Sequence, residues 1–116
     1  MSILIIAEAG VNHNGDMGMA KKLIDVAVDA DADIVKFQTF NAEKLATRNA
    51  MKADYQLVST ESSETQFDML KRLELSEKMH VDLIHHCFQK NIGFLSTGFD
   101  IESIKFLLKL GIKIIK

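Results

Sequence analysis

The sequence predicts an α/β fold of TIM-barrel type, with this chain supplying about four strands of an eight-stranded (β/α)8 barrel. Three observations lead there. Short apolar runs alternate with segments of helical periodicity, in the order strand, helix, strand, helix, strand, helix, strand. Such alternation implies parallel strands joined by right-handed crossovers. The 116 residues hold no proline and no internal linker or low-complexity segment. The last apolar run, Ile112 to Lys116, breaks off inside a strand, whereas a whole barrel takes about 250 residues. A small open α/β sheet, complete in itself, is the competing architecture.

Each element has a local reason. Ser2 to Ala7 is a nearly continuous apolar run, as expected of a strand buried on both faces. Asn14-Gly15-Asp16 is turn chemistry, and Asp16 is placed to cap a helix. From Met17 to Ala30, Ala20, Leu23, Ile24, Ala27 and Val28 recur at helical spacing. Ile34 to Phe40 is rich in β-branched and aromatic residues and reads as the second strand. Asn41 to about Glu64 is polar and aperiodic, a long loop holding one or two short helices. Helical pattern returns over Thr65 to Leu73. Ser76 then caps a helix running to about Lys90, with Val81, Ile84 and Phe88 expected on its inner face and Asn91-Ile92-Gly93 as its stop. Phe94 to Thr97 is the third strand. Asp100 caps a helix carrying Ile101, Ile104, Leu107 and Leu108, which Gly111 ends. Ile112 to Lys116 is expected to begin a fourth strand.

Composition bounds the function without naming it. A hydrophobic fraction of 47% and a charged fraction of 26% are those of an ordinary globular domain. A net charge of −2 argues against nucleic acid as a partner. No apolar run approaches the roughly 20 residues that cross a bilayer, so no membrane association is expected. The short apolar N-terminus has no basic leader and is not read as a signal peptide. Cys87 is the single cysteine, which fits a reducing, cytoplasmic setting.

The chemistry gathers at strand ends. Side chains alternate along a strand, so Lys36 and Gln38 share one face and Val35, Phe37 and Thr39 the other. Glu8, Lys36, Gln38, Thr97 and Lys116 all lie near the C-terminal ends of their strands, where parallel α/β folds build their sites. Two lysines and a threonine hydroxyl suit a phosphate or carboxylate. A glutamate beside them can take a proton or orient a water or a sugar hydroxyl. In the competing reading, Glu8 and Lys36 merely pair with each other inside the barrel.

Four separated motifs then make a resemblance specific: IIAEAGVNHNGD from Ile5, ADADIVKFQTF from Ala30, FLSTGFD from Phe94, and the terminal KIIK. In this order and spacing they resemble the N-acetylneuraminate (sialic acid) synthase family, which includes legionaminic and pseudaminic acid synthases. The likeness covers the whole chain. It implies that residues 1–116 are the N-terminal half of a catalytic (β/α)8 barrel, with the rest of the barrel and an antifreeze-like C-terminal domain absent here. It also implies condensation of phosphoenolpyruvate with an N-acetylated aldose, a divalent metal (manganese or magnesium), and a domain-swapped homodimer. By motif, Glu8 resembles the catalytic glutamate beside the sugar aldehyde. Lys36, Thr97 and Lys116 look like phosphoenolpyruvate ligands, and Gln38 like a contact to the acyl sugar. Asn12 and His13, in the first strand-to-helix loop, are implied to shape the site, with turn stabilisation the alternative for Asn12. The metal-binding histidines would belong to later segments, so the chain alone is expected to be inactive. Two departures stand out: Gly98 stands where the family usually has proline, and Asp31 where it has a helix-ending glycine.

Other clusters read as packing. His80, His85, His86 and Cys87 sit at spacings that splay around a helix, so surface or half-buried packing is expected rather than a metal site. Cys87 reads as core rather than nucleophile. Two rival functions remain open: a Schiff-base aldolase using Lys36, and a non-catalytic half barrel that binds anions or serves assembly.

Overall fold

A computed structural model of the protein describes residues 2–45 and 65–116. Three parallel strands, β1 (Ile6–Gly10), β2 (Ile34–Thr39) and β3 (Gly93–Gly98), form one sheet in the order β1-β2-β3. Between them run helices α1 (Met17–Asp29), α2 (Ala42–Leu45), α3 (Gln66–Leu73) and α4 (Glu77–Gln89), and α5 (Ile101–Lys109) follows β3. Apart from α2, the expected loop from Asn41 to Glu64 lies mostly outside the described residues. None of the described helices is long and apolar enough to cross a membrane.

The caps form as the sequence predicts. Asp16 accepts from the Gly18 and Met19 amides at 2.7 and 3.3 Å, Ser76 from Met79 at 3.1 Å, and Asp100 from Ser103 at 2.8 Å. Thr65 and Asp68 close a reciprocal capping box on α3. The helix ends share one device: Asp31, Asn91 and Gly111 follow α1, α4 and α5 with φ of 60°, 59° and 92°. The amides after them reach back to carbonyls of the last turn, Ala32 to Ala27, Ile92 to Cys87 and Ile112 to Leu107. Asp31 thus takes the left-handed conformation that glycine most often supplies at a helix end.

Alternation along the strands separates two faces. Ala7, Ala9, Val35, Phe37 and Phe94 pack towards the helices, against Ile24, Ala27, Leu83 and Cys87. Ile6, Glu8, Lys36 and Leu95 line the opposite face. At Gly98 α5 packs closely on the sheet: a Cβ there would lie 2.7 Å from Ile104 Cγ1 and 3.0 Å from the Ile104 nitrogen. Helix α5 is therefore packed against bare backbone at Gly98.

Three expectations are corrected. The first strand lies further along than Ser2–Ala7: Ile3, Leu4 and Ile5 are exposed, and pairing with β2 begins at Ile6 opposite Ile34. Residues 112–116 form no strand. Ile114 and Ile115 stay half exposed, and a segment at a sheet margin has a ladder on one side at most, so little holds its register. The inner face of α4 is His80, Leu83 and Cys87, while Val81 and Phe88 are exposed at 52% and 82%. Both stripes have helical spacing. The buried one includes a histidine, fully buried rather than half-buried as expected, because both its ring nitrogens find partners inside.

Candidate active site

The strand ends meet. Register places Glu8 beside Lys36, Lys36 beside Leu95, and Gln38 beside Thr97. Lys36 Nζ lies 2.6 Å from Glu8 Oε2 and donates to Thr97 Oγ1 at 3.3 Å. The lysine side chain is only 9% exposed and the glutamate 50%, so the cation is withdrawn from water while its partner stays half wet. Lys116 joins Ile6, Glu8, Lys36 and Leu95 around a cavity of about 420 Å³, the size of a small-molecule site. Leu95 and the partly exposed Ile6, Ile114 and Ile115 supply its apolar walls.

Gly10 brings Glu8 and Gln38 together. The pairing of β1 with β2 shifts between Glu8 and Gly10, a bulge that re-aims the strand end. Gly10 then has a φ of 56°, and a Cβ there would lie 3.1 Å from Glu8 Oε1 and 3.5 Å from Gln38 Nε2. A side chain would crowd both groups. This residue escaped the sequence reading, although a glycine two places after the only charged residue of a strand was the available signal.

Asn12 and His13 follow in the turn, and neither reaches into the cavity. The Asn12 amide donates to the Ala9 carbonyl at 3.1 Å and its side chain is exposed. His13 is fully buried on the other face, 6.1 Å from the Phe37 ring, and its Nδ1 accepts from the Gly15 amide at 2.8 Å. Among the described residues its Nε2 has no hydrogen-bond partner. His13 therefore supports the loop from beneath.

Behind the strand ends lies a set of buried polar groups that forms no motif in the sequence. His80 Nδ1 lies 2.7 Å from the Ser76 carbonyl and Nε2 2.7 Å from Thr39 Oγ1, which is 2.6 Å from Ser96 Oγ. His86 reaches across to Asp25 of α1 at 2.8 Å. Cys87 is core, and burial pushes its thiol up to about 12.

Burial also lowers the pKa of both His13 and His80. At His13 the charge of His80 adds to the effect; at His80 the Ser76 carbonyl and Glu77 oppose it in part. Both rings are thus harder to protonate in the fold than in the unfolded chain. The unfolded chain binds more protons below the ordinary imidazole value of about 6.5, so stability is full above that pH and falls as pH drops through it. Melting temperature should be level from pH 8 to 7 and decline from pH 6.5 to 5. His80→Gln should flatten part of that decline, whereas a rise on acidification would contradict the assignment.

Residues 23–116 match the NeuB family. The N,N'-diacetyllegionaminic acid synthase of Campylobacter jejuni is 55% identical over 113 residues, covering 97% of this chain and 34% of that protein. The protein of the same name from Legionella pneumophila is 51% identical over 116 residues, covering 100% of this chain and 33% of its own. Among solved structures, the N-acetylneuraminic acid (sialic acid) synthetase of Leptospira borgpetersenii, in complex with citrate, matches with a TM-score of 0.78 at 31% identity. That match covers 99% of this chain and 35% of the other. The chain spans about a third of the length of these relatives. The motifs at the strand ends, the parallel α/β sheet that carries them and these matches agree: the chain belongs to the NeuB family.

Proposed function

We propose that the full-length protein carrying this chain condenses phosphoenolpyruvate with an N-acetylated aldose, giving a nonulosonic (sialic-type) acid and phosphate. The observation that carries this is a desolvated ammonium, Lys36, flanked by Glu8 and Thr97 in a cavity that Lys116 also lines. Phosphoenolpyruvate brings a carboxylate and a phosphate, the groups such a pocket favours. Two relatives above half identity are named N,N'-diacetyllegionaminic acid synthase, which favours a legionaminic-type product and hence a diacetylated aldose. In this reading the three strands open a (β/α)8 barrel, residues 1–116 are its N-terminal half, and the whole protein is a homodimer with an antifreeze-like domain.

The electrons move simply. The C2–C3 π pair of phosphoenolpyruvate forms the new bond to the aldehyde carbon, whose oxygen takes a proton. Water adds at the cationic C2 and loses one proton; the new hydroxyl then loses the other as its oxygen forms the C2=O bond, and phosphate leaves with the electron pair of the C2–O bond. Lys36, withdrawn from water, and Lys116 at the cavity's edge offset the substrate's negative charge. Glu8, half exposed beside Gln38, is placed to orient the water or a sugar hydroxyl and to hold a proton. Among the described residues, no three His, Cys, Asp or Glu come together to hold a metal. A manganese or magnesium requirement therefore belongs to this proposal with ligands from elsewhere in the protein, and no step above is assigned to it.

The full-length protein should release phosphate from phosphoenolpyruvate only when an N-acetylated aldose is present, and faster with a diacetylated sugar than with N-acetylmannosamine. Chelation should stop it, and the 116-residue chain alone should be silent. Release without any sugar, or release indifferent to a chelator, would overturn the mechanism. Covalent trapping of Lys36 by borohydride with pyruvate would favour the aldolase instead.

A further inference from the structure

We propose that His80 is a positioning residue: through Thr39 and Ser96 it locks the ends of β2 and β3 in register, and so sets the spacing of Gln38 and Thr97. This rests on the functional reading above for what Gln38 and Thr97 contact, but not for the clamp itself.

Alternation puts Thr39 and Ser96 on the helix-facing side, where the same strands otherwise carry Val35, Phe37 and Phe94. Each strand thus gives up an apolar packing position next to a residue of the mouth, Thr39 after Gln38 and Ser96 before Thr97. The two hydroxyls are 2.6 Å apart, and Thr39 lies 2.7 Å from His80 Nε2. All three residues are at most 5% exposed. The Ser76 carbonyl, 2.7 Å from His80 Nδ1, can only accept, and that settles every proton. Nδ1 carries the hydrogen, Nε2 accepts from Thr39, and Thr39 accepts from Ser96. Edge-on contacts with Phe94 and Phe106, at centroid distances of 6.4 and 5.0 Å, hold the ring in this plane.

Alkyl groups could fill this space, but dispersion contacts tolerate sliding, whereas a chain of directional hydrogen bonds fixes distances between the elements it joins. Gln38 and Thr97 are register partners, so a slip or twist behind them would move the Gln38 amide and the hydroxyl that Lys36 contacts. His80 does not line the cavity of Glu8 and Lys36 and does not touch their ion pair, so it acts on them only through these two strands.

Thr39→Val in the full-length protein keeps the shape of the side chain and removes the hydroxyl at the centre of the chain. We expect backbone amides of Gln38 and Thr97 to exchange hydrogen about tenfold faster, and those of Val35 and Phe94 at the far ends of the strands to stay unchanged. KM for phosphoenolpyruvate should rise by about tenfold, the worth of one such bond. Thr39→Ser should restore both. If Thr39→Val fails to fold, Ser96→Ala removes only the terminal donor and is read the same way. Unchanged exchange at Gln38 and Thr97 overturns the clamp, and so does acceleration spread evenly over the sheet, the mark of plain destabilisation. Should the parent not turn over phosphoenolpyruvate, the functional reading fails, and exchange alone decides the clamp.

Discussion

Replacing Lys36 by Met in the full-length protein should cost on the order of 2–5 kcal/mol in transition-state stabilisation, about 30- to 5,000-fold in kcat/KM for phosphoenolpyruvate. The asymmetry of the Glu8–Lys36 pair makes the prediction specific. Lys36 is the buried member and Glu8 the half-exposed one. Methionine fills most of the lysine's volume, and the carboxylate left behind can be hydrated in place, so the usual penalty for orphaning a buried charge does not arise. Melting temperature should barely move, and a slight rise is compatible because a desolvated ammonium is gone. The anion site, by contrast, loses a cation that is largely withdrawn from water. Steady-state kinetics and a thermal melt on the same preparation test both halves. If the variant unfolds while its folded fraction turns over normally, Lys36 is structural, and the pair is an internal ion pair after all.

Much of this was legible in the sequence, for reasons that can be named. Caps depend on a few contiguous residues, so Asp16, Ser76 and Asp100 could be placed without tertiary information. Strand alternation put Lys36 and Gln38 on one face because the period of two is rigid. What failed depended on partners far along the chain. The start of β1 is set by where Ile34 lies, and nothing in Ser2 to Ala7 encodes that. Residues 112–116 have a strand's composition, yet composition cannot supply a neighbouring ladder. His80 was misjudged because its burial is a property of Ser76, Thr39 and Ser96 together. A polar side chain enters a core only when its whole hydrogen-bonding complement is met there. Thr39 and Ser96 were the clue, two hydroxyl residues on the side of the strands that faces the helices.

The largest loss of stability should follow from the smallest substitution, Gly15→Ala. Gly15 has a φ of 77°, and a Cβ there would collide with the carbonyl oxygen of Arg72 at the end of α3. The obstacle is backbone, so no side chain can swing aside. Left-handed backbone costs a residue with a Cβ about 1–2 kcal/mol, and moving the loop off α3 adds roughly 1–3 kcal/mol of overpacking. The sum, on the order of 2–5 kcal/mol, is a large share of the stability of a domain. Gly111→Ala is the matched control: its φ is 92°, and a Cβ there would meet nothing within 4 Å. It should therefore show the conformational cost alone. Urea unfolding midpoints of the two variants isolate the steric contribution by difference. The effect should also reach the site, because the Gly15 amide is the donor to His13 Nδ1, and the loop they brace leads directly from Gly10 and Glu8. Equal losses for the two alanines would mean that the turn and the end of α3 do not meet as closely as described, and that the loop beneath the mouth is held by something other than this contact.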